Sequence, residues 1–233
     1  MKGISPRQIL SICDVILKEN KDIINDEKQF LLTKEETENN IYENLYRLNA
    51  VYVTTNYDNC LDELAGKDKV FYSNDEFLES KLFVPGNILH IHGGMKANQS
   101  PVITLWDYIK RYRYKSNLSN LLNVMFQKYH VLFIGYGLSE YEILEYVVNI
   151  AERESGNELR HFLLYPLRDD EKEVEHLYEK YYYQLGIQLL SYEIGPLKNY
   201  NILEDITKQL LDEITIRSPY VMKKLEILEG VDL

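Results

Sequence analysis

The chain has 233 residues, 45% apolar and 27% charged, enough to build one domain, or one with a small appendage, around a sizeable core; wholesale disorder is excluded. Asp and Glu outnumber Lys and Arg by 37 to 26, a net charge of -11, so a nucleic-acid surface, which needs clustered cations, is excluded as the main business, while a local basic pocket for one small phosphorylated ligand is not. The two cysteines, Cys13 and Cys60, cannot supply a four-thiolate zinc site or a disulfide framework, no run nears the ~20 apolar residues of a membrane span, and the start MKGISPRQIL is no secretory signal; the expected setting is the reducing cytoplasm.

In chain order, ISPRQILSICDVILKEN reads as a helix, with Ser5 as cap, Pro6 at the first position and Gln8 closing a capping box. Ile9, Leu10, Cys13, Ile16 and Leu17 form one apolar stripe along it. A second helix is expected over 35–48, with Ile41, Leu45 and Leu48 facing inward. Short apolar runs then alternate with helical patterns. The runs are AVYVTT (50–55), NILHIH (87–92), PVITL (101–105), VLFIG (131–135), HFLLY (161–165) and IQLLSY (187–192). Helical periodicity fills 118–129, 140–151, 170–184 and 202–214. Strands apolar on both faces, separated by helices, predict an α/β fold with a mostly parallel sheet and helices on both faces, its ligand site at the carboxyl ends of the strands. Ser218 and Pro219 stop the last helix, so 1–217 is expected to be one domain and 218–233 a tail or the start of a further domain.

Three motifs fall at strand ends. In TTNYD (54–58), Asn56 could hold a water or a ribose hydroxyl and Asp58 could orient a cation or a polar ring; an Asx-turn with Asp58 capping residues 58–64 is the plainer alternative. In HIHGG (90–94), an extended strand puts His90 and His92 on one face. No third ligand stands at metal spacing, so no metal is expected; one imidazole followed by glycines suits a general base, and two satisfied structural histidines are the alternative. VLFIGYGLSEYEI carries Gly135 and Gly137 between a strand and a helix, similar to a dinucleotide-binding turn. Glu140 replaces the third glycine, and the acidic residue due about 20 residues later is missing, so a nicotinamide dehydrogenase is not indicated. There is no phosphate loop of NTPase type and no Ser or Cys in a nucleophile elbow.

Taken together, TTNYD, HIHGG, VITLWDY and VLFIGYGLSEYEI, in this order and spacing over 42–216, resemble the sirtuin-like domain of bacterial NAD-consuming proteins, especially those of anti-phage defence. The resemblance implies a Rossmann-like NAD-binding fold. It places Asn56, Asp58 and His92 around the nicotinamide ribose as catalytic residues. Thr55, Gly93, Gly135, Gly137 and Leu138 become NAD-binding, the last three along the adenosine half. Trp106 to Tyr108 is similar to a structural strand-to-helix junction of the family. The four-cysteine zinc module of deacylase sirtuins has no counterpart here, which disfavours deacylation. The family's glycine-rich opening strand also has none, so the first strand is expected to be missing.

The activity implied is that of an NAD glycohydrolase, splitting NAD, as substrate, into nicotinamide and ADP-ribose in antiviral defence, with His92 as base, Asn56 holding water and Asp58 positioning ribose or carboxamide. The alternative is a catalytically degenerate NAD- or ADP-ribose-binding or oligomerisation module. A homo-oligomer or a partner defence protein is the expected assembly, without nucleic acid or membrane.

Overall fold

A computed structural model describes residues 5–19, 40–72, 77, 79–94, 101–112, 116–138, 141–153, 161–195 and 200–217. The chain divides into two compact units, Met1–Leu118 with Leu203–Leu233, and Ser119–Ile202. Each contains a three-stranded, fully parallel sheet, so the expected strands form two sets.

In the first unit, β1 (Tyr52–Thr54) and β2 (Val70–Phe71) flank a central β3 (Ile88–His90). The middle strand is buried throughout, which is why its sequence reads apolar on both faces. Both connections are crossovers, as parallel neighbours require. Helix α1 (Pro6–Glu19) starts with the expected capping box: Gln8 N–H donates to Ser5 Oγ at 3.3 Å and Ser5 N–H to Gln8 Oε1 at 2.9 Å. Its apolar stripe does not form core, for Ile9, Leu10, Cys13 and Ile16 are exposed, while half-buried Arg7 and Ser11 make the packing contacts.

Helix α2 (Ile41–Arg47) is the described part of the second expected helix; residues 35–39 lie outside the described residues. Its one fully buried side chain is polar: Asn44 Nδ2 donates to Thr207 Oγ1 at 3.4 Å, in the C-terminal helix described below. Ile41, Leu45 and Leu48 are half-buried. The hydroxyl of Tyr52 reaches the last carbonyls of α2, Leu45 O at 2.7 Å and Tyr46 O at 2.8 Å, fixing where the helix ends and β1 begins.

The short helix α3 (Glu79–Leu82) leads to β3. The run PVITL is no strand. Val102 donates one backbone bond to His92 O (2.8 Å), and Thr104 then caps α4 (Leu105–Arg111) in a box with Asp107. Within the run only Val102 and Thr104 are buried and Leu105 is exposed, so its apolar composition misleads. Arg7 lies 3.8 Å over the Tyr108 ring, and Leu105 N–H donates to Ser11 Oγ at 2.9 Å, which joins α1 to α4.

The second unit begins at Ser119, within α5 (Asn117–Lys128), whose Leu121, Leu122 and Phe126 are wholly buried. Strands β4 (Val131–Ile134), β5 (His161–Leu167) and β6 (Ile187–Glu193) pair in that order. Phe126 stacks on Phe133 at 6.1 Å and meets His161 edge-on at 5.4 Å. Between the strands run α6 (Tyr141–Arg153) and α7 (Glu175–Gln184), the latter preceded by a 3-10 stretch, Asp169–Val174. Tyr165 of β5 packs against Tyr178 of α7, with the buried Tyr182 behind it. The C-terminal helix α8 (Ile202–Arg217), which from Leu203 on belongs to the first unit, carries Thr207, and residues 218–233 lie outside the described residues.

Candidate functional site

The loop after β1 and the turn after β3 lie side by side because their strands are paired, and Ile91 N–H continues the pairing onto Thr54 O at 3.1 Å. Two local bonds and one long-range bond hold the first loop. Asn56 N–H donates to Thr54 Oγ1 at 3.0 Å, and Cys60 N–H donates to Asp58 Oδ1 at 3.0 Å, so Asp58 forms the Asx-turn foreseen as its plainer role. Residues 62–64 make only a 3-10 turn. Tyr57 donates its hydroxyl proton to Val102 O. The Asn56 side chain is exposed and is hydrogen-bonded to the hydroxyl of Tyr42 on α2. Burial, with Asp58 and Cys60 beside it, pushes the Tyr42 phenol up to about 12, so it stays neutral.

The two histidines are not equivalent. β3 ends at His90, and Ile91 and His92 form a turn that Gly93 closes with φ 70 and an N–H bond to His90 O at 3.0 Å. Strand alternation therefore does not continue to His92. His90 is 1% exposed, its Nδ1–H donating to Asn56 O at 3.1 Å and its Nε2 lying 2.7 Å from Asp62 Oδ1. Tyr72 stacks on it at 4.5 Å and gives its hydroxyl proton to the other Asp62 oxygen. Arg111 closes the cluster by donating to Ile91 O at 2.7 Å, Tyr72 O at 2.6 Å and His90 O at 3.4 Å.

His92 is 2% exposed. It is bonded to the backbone of Thr55, and its Nε2 stands 2.7 Å from the Tyr112 hydroxyl. Tyr108 and Tyr112 meet its ring edge-on at 5.1 and 5.9 Å. Burial first, then the positive charges of Arg111 and Arg7, push the imidazole down to about 4, so it is neutral near pH 7. Thr55, Asn56, Asp58, His92 and Gly93 thus stand on the adjoining ends of β1 and β3. The sequence reading missed Tyr42, Asp62, Tyr72, Arg111 and Tyr112, none of which sits in a motif. Trp106 is 61% exposed, with Lys110 Nζ 5.0 Å from its ring centre, whereas Tyr108 is buried.

Gly135, Gly137 and Leu138 belong to the second unit, at the end of β4. Gly135 has φ 65 and Leu138 φ 47, both left-handed. A Cβ at either glycine would meet nothing within 4 Å, so conformation, not close approach, calls for glycine at 135. The Leu138 side chain is buried, which leaves its backbone as the part a ligand could meet. Among the described residues no group of three or more His, Cys, Asp or Glu could hold a metal ion, and no helix is long and apolar enough to cross a membrane.

Parallel strands covered by helices, with Asn, Asp and His at adjoining strand ends, define a Rossmann-like α/β domain. The family model of the SIR2-like domain matches residues 50–186, more than half of the chain, and the protein belongs to that family. It is similar to Defense-associated sirtuin 2 of Bacillus subtilis, at 24% identity over 181 residues, which cover 72% of this chain and 18% of that protein. The chain thus spans less than a fifth of that relative's length.

Proposed function

We propose that this domain is an NAD glycohydrolase acting in bacterial antiviral defence, in the cytoplasm, with residues 1–217 as its sirtuin-like part. SIR2-like domains use NAD, and the similarity to a defence-associated sirtuin supports the setting. The observation that carries the chemistry is the placement of an exposed Asn56 and a buried His92, neutral near pH 7, on the adjoining ends of two paired strands. Nicotinamide leaves a positively charged N-glycoside as a neutral ring, through an oxocarbenium-like transition state. The site therefore has to orient the ribose, exclude bulk water and accept one proton.

Asn56 holds the attacking water or a ribose hydroxyl, and Asp58 positions ribose or carboxamide with its second carboxylate oxygen, Oδ1 being used by Cys60. Neutral His92 is in the form that accepts a proton; the Tyr112 hydroxyl turns aside when substrate enters, freeing Nε2. Thr55 and Gly93 line the same strand ends; Gly135, Gly137 and the Leu138 backbone, at the end of β4 in the second unit, are read as a nucleotide-binding turn of that unit. The expected assembly is a homo-oligomer or a complex with a partner defence protein.

One observation favours a second reading, a domain that binds NAD or ADP-ribose without cleaving it. His92 and Asp58 already spend hydrogen-bonding capacity inside the protein. Incubation with NAD separates the two. A hydrolase releases nicotinamide and ADP-ribose in equal amounts, whereas a binding module shows only a ligand-dependent rise in Tm. Neither response would remove both.

A further inference from the structure

His90 takes no part in the chemistry above, yet it is the most completely enclosed polar side chain at these strand ends. It is 1% exposed and its Asp62 partner 11% exposed. A backbone carbonyl can only accept, so the bond to Asn56 O fixes a proton on Nδ1. Asp62 then holds Nε2, Tyr72 covers one ring face while bonding Asp62, and Arg111 ties the carbonyl of His90 itself. The ring is immobilised from every side except the one that grips Asn56. That residue's N–H is meanwhile fixed to Thr54.

We propose that His90, oriented by Asp62, is a positioning residue: its Nδ1–H sets the backbone of Asn56 and thereby the place of the Asn56 side chain at the ligand site. The inference rests on the reading that Asn56 meets the substrate. A buried polar pair that merely fills the core would serve as well with either ring nitrogen replaced. A positioning role depends on Nδ1 alone.

Two near-isosteric changes separate these roles. His90→Asn keeps an N–H donor near Nδ1 and loses the reach to Asp62; His90→Gln keeps the reach to Asp62 and loses the donor to Asn56. Each variant is checked for folding by circular dichroism. Nicotinamide release from NAD and hydrogen exchange of residues 55–60 are then measured on the full chain. The expected result is H90N within about threefold of wild type, with exchange unchanged, and H90Q with kcat lower by about tenfold or more and faster exchange. Wild-type behaviour of H90Q in both measurements, or losses in H90N as great as in H90Q, would overturn the proposal. If the wild type itself releases no nicotinamide, the glycohydrolase reading fails, while the exchange comparison still decides the role of His90.

Discussion

The Tyr112 hydroxyl and Nε2 of His92 are hydrogen-bonded at 2.7 Å, so the nitrogen that would take a proton from substrate is already engaged within the protein. Together with the bond to the Thr55 backbone, this holds the ring in place. Tyr112→Phe should lower the unfolding free energy by about 1 kcal/mol and move the His92 imidazole nitrogen resonances. Denaturant unfolding and nitrogen-15 spectra check this; unchanged resonances would show that the hydroxyl does not bond the ring.

The depressed pKa of His92, from an ordinary 6.5 to about 4, makes stability depend on pH. Between those values the unfolded chain binds a proton that the folded chain does not. The contribution of His92 is therefore fully present above pH 6.5 and is lost as pH falls toward 4, by about 3 kcal/mol in all. His92→Gln should remove this part of the acid slope. Urea midpoints measured across the window provide the comparison, and identical slopes would place the imidazole in contact with solvent.

The two glycines after β4 should respond differently to alanine. Gly135 sits at φ 65, where a Cβ is strained by about 1–2 kcal/mol even though nothing crowds it. Gly137 lies outside the left-handed region with open space around it. Gly135→Ala should lower Tm and Gly137→Ala should leave it nearly unchanged; equal effects would contradict the backbone geometry.

Thr104 and Asp107 bond reciprocally at the start of α4, with Asp107 N–H on Thr104 Oγ1 at 3.2 Å and Thr104 N–H on Asp107 Oδ2 at 2.9 Å. Thr104→Ala should cost about 1 kcal/mol, and Thr104→Ser should retain most of the stability. Thermal unfolding of both variants tests the cap, and a serine variant as weak as alanine would assign the loss to the buried methyl group instead.

What was legible in the sequence follows from periodicity and local chemistry. β3 showed as an apolar run because it is covered on both faces, β4, β5 and β6 showed as apolar runs although β4 and β6 carry exposed residues, and Ser5 with Gln8 announced the start of α1. β2 did not show, since two residues carry no period. The apolar stripe of α1 and the run at 101–105 misled, because hydrophobicity states neither what covers a face nor whether a ladder partner exists. Of the site, TTNYD and HIHGG marked the strand ends. The partners Asp62, Tyr72, Arg111 and Tyr112 are brought to the histidines by tertiary folding, and no local spacing encodes them. The difference between His90 and His92 was hidden for the same reason, as it depends on where β3 stops.

We propose that NAD is cleaved at these strand ends with His92 taking part. The most direct test is chromatographic measurement of nicotinamide released from NAD by the wild type and by His92→Ala, both confirmed as folded. The expected result is release by the wild type and its loss in the variant. Full release by folded His92→Ala would remove the imidazole from the reaction, and no release by the wild type would contradict the hydrolase reading itself.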